Sequence, residues 1–145
     1  MDLACQIYVR KSARDYLDDG IDFSSINEFL DNVKALTPDI NYSYKIFKKD
    51  EVTIRTRWKA PYYLALYSEK KDNYGVNLGF VFQQLSLFMQ SLGIGSCWVG
   101  MATVKEKNPD FEILIAFGKS DEMTRDISQF KRKSLSEISD MKMKD

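Results

Sequence analysis

The stretch Asn77-Leu78-Gly79-Phe80-Val81-Phe82-Gln83-Gln84-Leu85-Ser86-Leu87-Phe88-Met89-Gln90-Ser91-Leu92-Gly93-Ile94-Gly95-Ser96-Cys97-Trp98-Val99-Gly100 carries no charged residue. Leu78, Val81, Phe82, Leu85, Phe88, Met89 and Leu92 recur at i+3 and i+4 steps, the period of one helical face. The other side offers Gln83, Ser86 and Gln90 in place of the usual Lys and Glu. The spacing therefore predicts a helix covered on both sides, by a sheet and a loop or by a second subunit. A membrane span fits less well, since polar Asn77, Gln83, Gln84 and Gln90 and the glycines Gly93 and Gly95 interrupt the run. Beyond the helix, Gly93, Gly95 and Gly100 allow two readings. Gly93 suits a helix C-cap followed by a buried turn, while glycines along such a segment also let backbone approach a flat ligand. Cys97 and Trp98 read as core.

On either side of that helix lie Pro61-Tyr62-Tyr63-Leu64-Ala65-Leu66-Tyr67 and Phe111-Glu112-Ile113-Leu114-Ile115-Ala116-Phe117. Both are nearly continuous apolar runs, as interior strands covered on both faces tend to be, and they are expected at the middle of a sheet. Upstream, Ser43–Phe47 and Val52–Arg57 flank the turn-prone Lys48-Lys49-Asp50, and Val52–Arg57 alternates apolar with polar. A hairpin is the expectation there. Leu3–Val9 reads as a short helix. Ser25-Ile26-Asn27-Glu28 reads as a capping box for a second one, with Ile26, Phe29, Leu30, Val33 and Leu36 on its buried face and Thr37-Pro38 ending it.

At 145 residues, the chain is expected to form one domain spanning residues 1–145. Lys and Arg number 21 and Asp and Glu number 21, so no overall field holds nucleic acid or an anionic membrane, and an anion site has to be local. The chain has no histidine. This removes His-based triads and His-ligated zinc, and Cys5 and Cys97 lack metal-ligand spacing, so no metal site is expected. Cys97 has no histidine or cationic neighbour to activate it as a nucleophile. The first residues lack the features of a secretory signal, which makes a cytoplasmic location the expectation.

Local anion sites are suggested twice. Arg10-Lys11-Ser12-Ala13-Arg14 gathers three cations and a hydroxyl directly after a helix, a set able to hold a phosphate through charge-assisted hydrogen bonds. Lys131-Arg132-Lys133 beside Ser134 is a second basic cluster near the end of the chain. Read singly, each also suits a solvated, dipole-complementing helix end or tail. For both to meet one anion, the tail has to fold back, or to cross onto a second subunit.

Taken in order, these segments resemble the nitroreductase family. Arg10-Lys11-Ser12-Ala13-Arg14-Asp15-Tyr16 is similar to its opening motif, and Lys59-Ala60-Pro61-Tyr62-Tyr63-Leu64 to its Ala-Pro strand. Asn77–Phe80 through Leu92–Gly100 resembles its long dimer helix and flavin-contacting loop. Phe117-Gly118-Lys119 and Lys131-Arg132-Lys133-Ser134-Leu135 resemble its closing strand and basic C-terminal motif. The resemblance is closest to the compact branch of the family.

That resemblance implies an α+β fold with helices around a mainly antiparallel sheet, a homodimer, and FMN at the dimer interface. It places Arg10, Lys11, Ser12 and Arg14 at the phosphate and pyrimidine side of FMN. Trp98, Val99 and Gly100 would lie against the isoalloxazine, with Lys131 and Arg132 or Lys133 completing the phosphate site. It further implies ping-pong transfer of hydride from NAD(P)H to a small acceptor such as a nitro compound or quinone. The flavin then carries the chemistry, and the protein needs no histidine acid or base. One departure stands out. Many members carry a Ser-x-x-Asn-x-Gln-Pro-Trp segment whose asparagine meets the flavin, and Asn41–Phe47 offers no equivalent. A flavin carrier and a structural dimer without flavin are the alternative readings.

Overall fold

The computed structural model describes residues 3–131 and 133–139. Its helices are α1 (Ala4–Val9), α2 (Ser24–Asn32), α3 (Tyr74–Ser91) and the short α4 (Leu135–Ile138). Its strands are β1 (Tyr42–Lys48), β2 (Val52–Ile54), β3 (Tyr62–Ser68), β4 (Ile94–Val99), β5 (Ala102–Val104) and β6 (Phe111–Lys119). An antiparallel sheet runs β1-β3-β6-β4, and β2 pairs with β5 in a second, two-stranded sheet. The architecture is α+β.

The apolar runs at Pro61–Tyr67 and Phe111–Phe117 form the two inner strands, as expected, because each strand buries both of its faces. Leu64, Leu66, Ile115 and Phe117 point to one side and pack with Ile26, Leu30, Leu78, Val81, Phe82, Leu85 and Met89 of α2 and α3. Tyr63, Ala65, Tyr67, Leu114 and Ala116 point the other way, into a second core that Val52 and Val104 of the small sheet close. Full burial of a Leu or Phe contributes about 1.5–3 kcal/mol, so two cores on one sheet account for the near absence of polar residues in these strands.

Helix α3 starts four residues before Leu78 and buries Leu78, Val81, Phe82, Leu85 and Met89 of the predicted face, whereas Leu92 falls at the C-cap and is exposed, because the helix ends at Ser91. It ends as the C-cap reading requires: Gly93 adopts φ +75°, a left-handed conformation that glycine takes without steric cost, and its N–H donates to Gln90 O at 3.2 Å. One stripe of α3, Val76, Phe80 and Gln83, remains exposed and uncharged.

Three local expectations are corrected. The capping box at Ser25 and Glu28 does not form, because the helix already begins at Ser24. Its first turn is held instead by the Asp22 carboxylate, which accepts Ser24 N–H at 2.9 Å and Ser24 Oγ–H at 2.6 Å. These bonds hold the Asp22 carboxyl below its ordinary pKa. The helix also stops at Asn32 and not at Leu36. Val33 turns extended, and the following segment is drawn toward α3, where buried Asn77 Oδ1 accepts Thr37 N–H at 2.8 Å.

The third correction concerns the hairpin. β1 pairs with β3 from Tyr42↔Ser68 to Lys48↔Tyr62, not with its sequence neighbour. A 3-10 turn at Lys49–Glu51, in which Glu51 Oε2 accepts Lys48 N–H at 2.8 Å, carries the chain off the large sheet. β2 then pairs with β5, Val52↔Val104 to Ile54↔Ala102. In this pairing Val52 and Val104 are buried together in the second core.

Candidate anion and cofactor site

At the end of α1 the chain turns extended at Arg10 (φ −61°, ψ 131°) and runs along the free edge of β4. Ala13 N–H donates to Ser96 O at 3.1 Å. The close approach depends on glycine: a Cβ on Gly95 would stand 2.6 Å from Ala13 Cβ and 2.9 Å from Ser120 Cβ. Gly118, paired with Gly95 across the β4–β6 ladder, likewise faces Pro61 and Tyr16. The space above Gly95 is therefore filled by the protein's own chain, and a flat ligand has no access at that glycine.

The segment after β6 returns to the same place. Lys11 N–H donates to Met123 O and Arg125 N–H to Val9 O, each at 2.8 Å, with an antiparallel bridge between Arg10 and Thr124. Two anchors steady the ends of this clasp: Ser120 Oγ–H donates to Asp15 O at 2.7 Å, and Tyr16 O–H to Ala13 O at 2.8 Å. Burial pushes the Tyr16 phenol well above its ordinary pKa, so it stays a neutral donor.

Arg10, Lys11, Ser12, Arg14, Arg125 and Gln129 line a cleft of about 410 Å³. Arg10 Nη2–H donates to Ser96 O at 3.2 Å and Ser96 Oγ at 3.3 Å. Its Nε–H, like that of Arg125, is buried without a hydrogen-bond partner. Burial holds the Arg10 guanidinium below its ordinary pKa; Cys97 and Tyr16 partly offset this, and the neighbouring Arg125 charge adds to it. At the rim, the Glu122 carboxylate bonds to the Lys11 ammonium at 3.4 Å. Leaving two guanidinium donors unpaired in a partly desolvated cleft costs about 1–3 kcal/mol each, and an oxyanion accepting from both removes that cost.

Of the residues expected at a cofactor site, Arg10, Lys11, Ser12 and Arg14 thus come together in one wall. Trp98 and Val99 lie on β4, whose Ser96 meets Arg10, and three residues of strand from Ser96 to Val99 span roughly 10 Å. Trp98 packs beside the α3 core and its Nε1–H donates to Gln83 Oε1 at 3.2 Å, whereas the Val99 side chain is buried in the second core. Gly100 borders a different cleft of about 350 Å³ with Thr53, Arg55, Met101, Ala102 and Thr103. Lys131 and Lys133 are exposed and do not line the anion cleft; Arg132 lies outside the described residues.

Arg125 is the cleft residue that sequence reasoning missed. It stands alone in the polar run Ser120–Ser128, and only the pairing of its backbone with Val9 brings it beside Arg10. Among the described residues no group of three or more His, Cys, Asp or Glu side chains is placed to hold a metal, and no helix is long and apolar enough to cross a membrane.

A family model described as "Putative TM nitroreductase" matches residues 2–145. Among solved structures, a nitroreductase family protein from Clostridium difficile 630 is similar at 17% identity and TM-score 0.73, covering 99% of both chains. A nitroreductase from Desulfovibrio desulfuricans, solved in complex with FMN, is similar at 16% identity and TM-score 0.64, covering 99% of this chain and 98% of that one. One from Thermotoga maritima is similar at 22% identity and TM-score 0.62, covering 94% of this chain. The chain spans 55% of the length of that Thermotoga protein. No curated protein gives a significant match.

Proposed function

The chain belongs to the nitroreductase family, whose model covers residues 2–145, and from that premise we propose that it is an FMN-dependent oxidoreductase. The observation that carries the cofactor reading is the buried, unpartnered Nε–H of Arg10 in a cleft shared with Lys11, Ser12 and Arg14. This donor set fits a phosphate dianion, and similar folds include one bound to FMN.

Bound FMN would supply two-electron redox chemistry, including hydride transfer. Arg10 holds the phosphate, with Ser96 fixing its guanidinium from behind. Ser12 and Arg14 extend the contact, while Lys11 balances Glu122 at the rim. From that anchor the isoalloxazine would be held by the backbone of Trp98, Val99 and Gly100, at the end of the strand that carries Ser96. Arg14, exposed and cationic, supplies positive field to the reduced flavin. NAD(P)H is the electron donor and a small nitro compound or quinone the acceptor, with ping-pong turnover because both use one ring face.

The uncharged exposed stripe Val76, Phe80 and Gln83 on α3 is the surface through which two copies pair as a homodimer. Its centre is apolar, as dimer interfaces are.

A structural dimer without flavin is the second reading, and one observation favours it. In the stretch Asn41–Phe47, the Asn41 amide is committed to Glu69, donating to Oε1 at 2.8 Å, so this stretch presents no amide to a flavin. The test is to add FMN, desalt, and record the visible spectrum before and after anaerobic NADH or NADPH. Retained yellow colour that bleaches supports the oxidoreductase. Colour that persists identifies a carrier, and protein without colour contradicts flavin binding.

A further inference from the structure

We propose that Arg125, and not Lys131 or Lys133, is the second cation of the phosphate site, so that a phosphorylated flavin is selected over an unphosphorylated one by two guanidinium groups of the same chain. The inference rests on the reading of the cleft as a flavin phosphate site.

Three observations carry it. Arg10 and Arg125 line one cleft, and each has its Nε–H buried without a partner. Neither of these two like charges is neutralised by an ion pair among the described residues; Glu122 pairs with Lys11, and the Asp126 carboxylate accepts Ser128 N–H at 2.9 Å. An oxyanion is the group that satisfies both.

Secondly, Arg125 is fixed from two directions. Its backbone is clasped to Val9, and its guanidinium lies 3.6 Å from the centre of the Phe130 ring. Stacking of this kind uses the flat face of a guanidinium and leaves its N–H edge available for a planar or tetrahedral oxyanion. Phe130 is brought back under Arg125 by the 3-10 turn at Ile127–Gln129, in which Gln129 Oε1 accepts Asp126 N–H at 2.8 Å and Gln129 N–H donates to Asp126 O at 3.0 Å. Phe130 is a positioning residue.

Thirdly, the lysines expected to fill this role are elsewhere: Lys131 and Lys133 are exposed and outside the cleft lining.

The test compares FMN with riboflavin, which has the same ring and no phosphate, by flavin fluorescence on the full chain. Arg125→Ala is expected to weaken FMN roughly 10- to 100-fold with riboflavin unchanged. The loss is expected to exceed that of a Lys131→Ala/Lys133→Ala double variant. Arg125→Lys keeps a charge without the fork and should lose several-fold, again for FMN alone; it carries the test if the alanine variant does not fold. Phe130→Leu should move FMN in the same direction. Equal loss for both flavins, no loss for either, or a larger loss in the lysine double variant overturns the proposal. Wild-type protein that prefers neither flavin instead refutes the flavin reading. In that case, thermal protection by inorganic phosphate that Arg125→Ala abolishes still upholds Arg125 as an anion ligand, and its absence overturns that too.

Discussion

Gly95 lies so close beneath Ala13 that a Cβ at position 95 would stand 2.6 Å from the alanine Cβ. This contact is where the sheet and the proposed phosphate site meet. It seats the Arg10–Arg14 segment on the edge of β4, and with Ser120 on the other side it seats the returning chain that carries Arg125. Gly95→Ala should destabilise the fold by about 1–3 kcal/mol, the usual cost of overpacking, and should weaken FMN binding in parallel. Denaturant unfolding and flavin titration check both. Gly75→Ala, where nothing lies within 4 Å, is the control and should leave both quantities unchanged or raise stability slightly.

Tyr63, fully buried, accepts Ala60 N–H with its hydroxyl at 2.6 Å. Tyr63→Phe strands that N–H inside the second core, where an unmet donor costs about 1–3 kcal/mol. Chemical unfolding should register the loss with no change in the slope of the transition.

Much of this arrangement is legible in the sequence, and the part that is not has a common cause. Helix α3 and strands β3 and β6 are read correctly because each carries its own period or an unbroken apolar run. The basic corner at Arg10–Arg14 is a contiguous cluster and is likewise visible. What escapes is pairing between distant segments: β2 leaves β1 to join β5, some fifty residues on, and Arg125 matters only because its backbone pairs with Val9. A lone arginine among polar residues gives no local sign of such a partner. The contiguous run at Lys131–Lys133 drew attention by its composition, although its described members stay in solvent. The Asp22 contact was hidden for a smaller reason, since Ser25 and Glu28 have the capping spacing two residues after the actual N-cap, Phe23.

Glu69 ties the start of β1 to the end of β3. Its carboxylate accepts Asn41 N–H at 3.1 Å and Asn41 Nδ2–H at 2.8 Å, and bonds Lys71 at 2.9 Å. The Lys71 and Asn41 bonds lower its pKa from 4.5 to about 2. Because the folded-state value is depressed, the stabilisation is complete above about 4.5, declines as pH falls, and is gone below about 2. Glu69→Gln should therefore melt below wild type at neutral pH, with the two melting curves converging as pH approaches 2. A constant gap across that range would contradict the assignment.

Phe80 is 44% exposed and Val76 58% exposed, one turn apart on α3. Phe80→Glu places a charge in the middle of the proposed dimer surface and should convert a dimer into a monomer at micromolar concentration by light scattering. Wild-type protein that is already monomeric there would contradict pairing through α3.

The central claim is that the cleft walled by Arg10, Lys11, Ser12, Arg14 and Arg125 takes the phosphate of a flavin mononucleotide. The most direct measurement is the affinity of wild-type protein for FMN and for riboflavin under one set of conditions. Two hydrogen bonds to charged groups contribute about 1.5–3 kcal/mol each, so FMN should bind at least roughly 100-fold more tightly. Equal affinity for the two flavins would contradict the account.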